Sequence, residues 1–186
     1  MKKVTVLLMI FCVMSITEKV DAQSFKGLDK SPLDMAYFPN NFAHDRREGV
    51  KAVMRVIYSR PQKKDREVFG KMVRYGKVWR TGANEATEIK LYQEVTFAGK
   101  KLAAGTYALF TIPNKDKWEI IFNKDLDYWG AYRYDQSKDA LRVSASVDEV
   151  SKVIEAFSIS FSEDGEGKGI MKMGWDKKVV SVPFTY

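Results

Sequence analysis

A chain of 186 residues with 31 Lys and Arg against 24 Asp and Glu carries a net charge of +7 and has about the length of one domain. It holds one cysteine, Cys12, and one histidine, His44, which leaves no disulfide pair, no thiolate metal cluster and too few imidazoles for most zinc geometries. The same scarcity argues against a Ser-His-Asp hydrolase, because His44 lies in a polar stretch, residues 40–48, that reads as solvated loop.

Lys2 and Lys3 precede an uncharged, mostly apolar run of 13 residues, 4–16. A helix that crosses a bilayer needs ~20 apolar residues. The shorter run, followed by Val20-Asp21-Ala22, predicts a secretory signal cleaved between Ala22 and Gln23. An uncleaved anchor is the alternative, disfavoured by length, and bulky Ile10 and Phe11 before Cys12 exclude a lipidation signal. Cleavage would remove Lys2, Lys3 and Lys19 with Glu18 and Asp21, lowering the charge by one, and would take the only cysteine with it. No later stretch is long and apolar enough for a membrane helix, so the expected destination is the periplasm, the cell surface or the medium. Nucleic acid is a poor partner there. Acidic glycans or lipid headgroups suit the basic balance better. That balance is concentrated in residues 60–80, where Arg60, Lys63, Lys64, Arg66, Lys71, Arg74, Lys77 and Arg80 face only Asp65 and Glu67. A solvated face that aids solubility is the simplest reading of this run.

Residues 23–49 read as an extended, irregular lead-in, with Ser31-Pro32, Phe38-Pro39 and Asn40-Asn41 breaking any helix. Leu33, Met35, Tyr37 and Phe38 imply that part of it packs on the domain. From residue 50 strands succeed one another. Residues 50–58 set Ala52, Met54, Val56 and Tyr58 against Lys51 and Arg55. Short strands are expected over 87–92 and 94–98, and richer ones over 106–112 and 118–123, joined by a five-residue hairpin loop at 113–117. Strands over 141–147, 156–162, 169–175 and 178–184 complete a set of nine. Phe157, Ile159 and Phe161 alternate with Ser158 and Ser160, the mark of a half-buried strand. Residues 164–167 and Asp176-Lys177 supply turns, and 148–155 has room for one helical turn. The pattern predicts an all-β fold, an antiparallel β-sandwich or jelly roll over residues 50–186 as a single domain.

Two long connections, residues 59–86 and 124–140, hold the unusual residues, and loops of that length are often functional. Their sequences include YSRPQKKDREVFGKMVRYGKVWRTGANEAT and WGAYRYD, with GTYALFTIP, WEIIFNK and LRV in the strands between and after. In combination these motifs resemble one numbered family, domain of unknown function 2911, from about residue 31 to residue 184. The resemblance implies an exported, mainly β domain of Bacteroidetes-like bacteria. It implies no activity, cofactor or catalytic residue.

Trp79, Arg80, Asn84 and Glu85 fall within seven positions. An aromatic face beside hydrogen-bonding side chains is what sugar recognition requires: the ring stacks on the apolar face of a pyranose and the polar groups meet its hydroxyls. Trp129, Tyr132 and Tyr134 would extend that platform, with Arg133 adding charge, and Arg60 and Asp135 complete the candidate ligand-binding set. The leading expectation is therefore a non-catalytic binding module for a glycan or other polar ligand, working without a cofactor. A second reading makes Glu85 and Asp135 the acid and base of a hydrolase. A third has the basic face of residues 60–80 meet an acidic envelope partner. Against all three stands an architectural reading, in which Arg80 and Glu85 form a buried ion pair, Asn84 caps a turn, and Trp79 and Trp129 belong to the core. Asp125 with Asp127, and Glu163 with Asp164 and Glu166, lack the ligand spacing of a calcium loop.

Overall fold

The computed structural model describes residues 25–186. The expected signal segment and its cleavage site lie outside the described residues. Nine antiparallel strands form: β1 (Leu33–Phe38), β2 (Met54–Ser59), β3 (Thr87–Leu91), β4 (Val95–Phe97), β5 (Lys100–Leu102), β6 (Gly105–Pro113), β7 (Lys117–Asn123), β8 (Asp139–Glu163) and β9 (Lys168–Thr185). They hydrogen-bond in the order β1-β2-β3-β6-β7-β8-β9-β4-β5.

That single sheet folds over on itself because β8, 25 residues long, serves two layers. Its first part pairs with β7, from Asn123↔Asp139 to Lys117↔Ser146. Its remainder pairs with β9, from Val147↔Val180 to Glu163↔Gly169. The layers close on a common core, with Phe97 of β4 against Phe122 of β7 at 4.7 Å and Phe38 of β1 against Phe184 of β9 at 4.9 Å. Strand alternation supplies this core: Ile89 and Leu91, Tyr107 and Leu109, Trp118, Ile120 and Phe122 point in from one layer. Phe157, Ile159 and Phe161, Met171, Met173 and Trp175, Val180, Val182 and Phe184 answer from the other. Beyond β2 the chain also joins the second layer. Phe157 N–H donates to the Pro61 carbonyl at 2.9 Å, and Lys63 N–H donates to the Glu155 carbonyl at 2.7 Å.

β6 and β7 are buried on both faces. Their outward residues Ala108, Phe110 and Ile121 lie under Val78, Ala86, Leu126, Tyr128, Ala131 and Tyr134 of the two long loops. A strand covered on both sides has no polar face to alternate with, which explains the nearly unbroken apolar run Tyr107-Ala108-Leu109-Phe110. The loops are consequently docked layers of the fold.

Three expectations are corrected. The lead-in contains a regular edge strand, β1, paired with β2 from Leu33↔Ser59 to Phe38↔Met54. Its outer residues Leu33 and Met35 remain exposed, so it lacks the apolar/polar alternation that marks a half-buried strand. The helical turn over 148–155 does not form. The chain continues as β8, with register shifts on either side of Ile154. Nor does Asp176-Lys177 turn a hairpin. β9 continues through it, with Asp176 at φ 56° opposite Ile154, where β8 carries the extra residues of two register shifts. Asp tolerates that left-handed backbone better than most residues, which makes a bulge and a turn look alike in sequence.

Candidate functional site

The first long loop is pinned at several points. Val68, Phe69 and Val73 enter the core, and a knot of backbone bonds, Gly70 N–H to Val73 O at 2.8 Å and Val73 N–H to Val68 O at 2.9 Å, holds them there. Further on, Trp79 and Thr111 exchange backbone hydrogen bonds of 2.7 and 2.9 Å, so the chain at Trp79 lies as a short extra strand beside β6. Alternation then decides the side chains: Trp79 turns inward, and Val78 and Arg80 turn outward. The Trp79 ring stacks on Trp175 at 5.9 Å and meets Phe157 edge-on at 5.0 Å, and its indole N–H donates to the Gly82 carbonyl at 3.0 Å. Trp79 is only 8% exposed. It is a core residue, held by the packing of its ring, and it also borders the cleft described below.

The rest of this motif is largely architectural as well. Thr81, fully buried with φ 55°, has its hydroxyl 3.2 Å from that of Thr111, and its carbonyl accepts from the Thr87 hydroxyl at 2.6 Å. A Cβ at Gly82 would press on the Ser59 carbonyl oxygen at 2.9 Å, so the close approach of two backbones there requires glycine. Asn84, at φ 58°, offers its carbonyl to Gly130 N–H at 2.9 Å, and Ala86 N–H donates to Tyr128 O at 2.8 Å. These two bonds splice the second long loop onto the first. Glu85 is exposed and forms no ion pair with Arg80.

The second loop is tied at its far end by buried Asn123. Its amide donates to the Asp135 carbonyl at 2.9 Å and to the Asp139 carboxylate at 2.7 Å. Tyr134 packs its ring on Phe110 and donates its hydroxyl to Asp139 at 2.7 Å. Burial first, and that bond second, push the Tyr134 phenol up to about 12. Asp135 caps a single 3-10 turn at Gln136–Lys138, its carboxylate accepting from Ser137 N–H at 2.9 Å. The hydrogen bonds from Ser137 hold that carboxyl below its ordinary value.

Three of the expected site residues do come together at the surface. The Arg80 guanidinium carbon lies 5.6 Å from the centre of the Trp129 ring. Trp129 and Tyr132 are parallel, 5.9 Å apart at 11°, and 59% and 81% exposed. Gly130 permits this, since a Cβ there would sit 2.8 Å from the Tyr132 ring. Tyr132 and Arg80 wall an open cleft of about 450 Å³ whose other lining side chains include Met72, Arg74, Lys77 and Val78. Arg80 Nε is buried without a hydrogen-bond partner, and burial pulls the guanidinium below its ordinary value. Arg74 and Lys77 belong to the basic run of residues 60–80, whose local excess of cations was their signal.

The other expected residues go elsewhere. Arg60 is spent on the closure of the two layers, with bonds to Asp34 at 2.9 Å, the Phe157 carbonyl at 3.1 Å and the Ser158 hydroxyl at 2.7 Å. Glu85 lines a separate cleft of about 350 Å³, with Glu88, Asp127, Ser59 and Tyr128. Asp135 is not among the side chains of that cleft. Among the described residues no group of three or more His, Cys, Asp or Glu side chains is arranged to hold a metal ion, and no helix is long and apolar enough to cross a membrane.

No curated protein and no solved structure matches the chain. A family described as Protein of unknown function (DUF2911) matches residues 41–184, which takes in both long loops and every strand from β2 to β8. By that match, over most of its length, the chain belongs to the DUF2911 family.

Proposed function

We propose that this is a single-domain, exported, non-catalytic binding module, which takes a glycan or other polar ligand on the wall formed by Arg80, Trp129 and Tyr132. One observation carries the reading: two large aromatic rings lie parallel and open to solvent beside a partly buried guanidinium that has no acidic partner among the described residues. Exposed aromatics of this size do not stabilise a core. Rings held in place by Gly130 and by the spliced loops lose little freedom on binding, so more of the stacking energy reaches the ligand. Arg80 offers donors of the kind that sugar hydroxyls accept.

The hydrolase reading draws less support. Glu85 and Asp135 do not line one cleft, and Asp135 is engaged as a cap. Its carboxyl is shifted downward, opposite to what a general acid needs.

The test is a binding screen over neutral and acidic oligosaccharides with the parent chain, Trp129→Ala and Tyr132→Ala. Each variant should melt like the parent and bind about tenfold more weakly, the loss of roughly 1.4 kcal/mol expected for one stacking ring. Full affinity in both folded variants, for every ligand that the parent binds, would overturn the assignment.

A further inference from the structure

The charges around the two clefts are sorted by sign. Arg74, Lys77 and Arg80 line one cleft without any carboxylate. Glu85, Glu88 and Asp127 line the other without any cation. A surface evolved only for solubility has no need of such sorting, since interspersed charges serve it better. The three cations emerge from a braced segment: Arg74 and Lys77 lie between Val73 and Trp79, both anchored in the core, Arg80 directly follows Trp79, and Gly76 N–H donates to the Pro113 carbonyl at 2.9 Å. Like charges held near one another on a stiff scaffold repel, and an anion between them relieves that repulsion. None of the three has an acidic partner within the chain among the described residues. Arg80 in addition keeps an unused buried donor at Nε. The same cleft is bounded by Tyr132, whose ring is 81% exposed.

From this geometry we infer that the cleft takes an anionic sugar, its carboxylate or sulfate ester held by Arg80 with Arg74 and Lys77, and its ring lying on Tyr132. The inference rests on the binding reading above and narrows it to a ligand class. Guanidinium groups meet two oxygens of a carboxylate or a sulfate ester through paired N–H donors, which lysine cannot reproduce, so Arg80 fixes orientation while Lys77 supplies charge. The carboxylate-lined cleft beyond Glu85 repels the same ligand and so restricts it to one side of the splice.

The experiment is calorimetric titration of the full exported chain with four probes: a uronic-acid oligosaccharide, the same oligosaccharide after reduction of its carboxyl groups, a sulfated oligosaccharide, and inorganic sulfate. The uronate or the sulfated sugar should bind, the reduced sugar should bind at least about tenfold more weakly, and affinity should fall as salt rises. Lys77→Gln should weaken the acidic sugar and leave what binding the neutral one has unchanged, whereas Arg80→Gln should weaken both, the acidic sugar by the larger factor. Equal binding of acidic and reduced sugars, lost in Trp129→Ala, would overturn the charge assignment while the aromatic wall stands. Binding of inorganic sulfate as tight as that of either sugar would overturn the role of the ring. No binding of any probe would overturn both readings.

Discussion

Trp79→Ala is expected to lose about 3–5 kcal/mol of stability, as large-to-small changes at buried aromatics do. For a domain of this size that lowers the melting temperature by on the order of 10 °C. The reason lies in how many elements meet at this ring. Phe69 from the first loop, Trp118 from β7, Phe157 from β8 and Trp175 from β9 all contact it, at centroid distances of 5.0–6.4 Å. Its removal opens a cavity that four separate elements would have to collapse to fill, and it leaves the Gly82 carbonyl without its indole donor. Trp79→Phe fills most of the space and should recover most of the loss. Thermal melts of both variants decide the matter. A Trp79→Ala chain that melts like the parent but loses ligand would return this residue to the binding site.

Ile159→Asp should leave no cooperatively folded protein. Ile159 is 3% exposed, and its backbone N–H and carbonyl both meet the Tyr58 hydroxyl, at 3.0 and 3.2 Å. A carboxylate placed there has no cation within the apolar core to pair with, and burying it unpaired costs several kcal/mol even when it protonates. The neighbouring Ser160 is exposed on the opposite side of β8. Ser160→Asp should therefore stay within about 0.5 kcal/mol of the parent, which makes the pair a direct reading of strand alternation. Equal melting curves for the two variants would show that β8 is not facing as described.

The strands that could be read from the sequence were those with one wet face or a sharp turn. Phe157, Ile159 and Phe161 announced the inner face of β8, and Pro113 with the residues after it announced the β6–β7 hairpin. The loop docking was harder to read, because it depends on contacts between segments about 45 residues apart in sequence, such as Asn84 with Gly130 and Ala86 with Tyr128. β1 hid for a related reason: an edge strand owes its order to its pairing with β2, and its exposed Leu33 and Met35 give no alternation to detect. At the site, residue type alone points to Arg80, Trp129 and Tyr132, and the structure brings them together. Residue type points equally to Trp79 and Arg60, whose side chains are held in the core and in the closure of the two layers. Residue type alone does not say which face of a short strand a side chain takes. That was settled by the pairing of Trp79 with Thr111, a contact between residues 32 positions apart.

The account depends on which tryptophans the loops turn outward. Trp79, Trp118 and Trp175 are at most 8% exposed, and Trp129 is 59% exposed. Acrylamide quenching of the intrinsic fluorescence measures this directly. One readily quenched component should appear in the parent chain and vanish in Trp129→Phe. A quenchable component that survives that substitution would mean that Trp79 or another ring reaches solvent, and the division into an inner anchor and an outer binding wall would not hold.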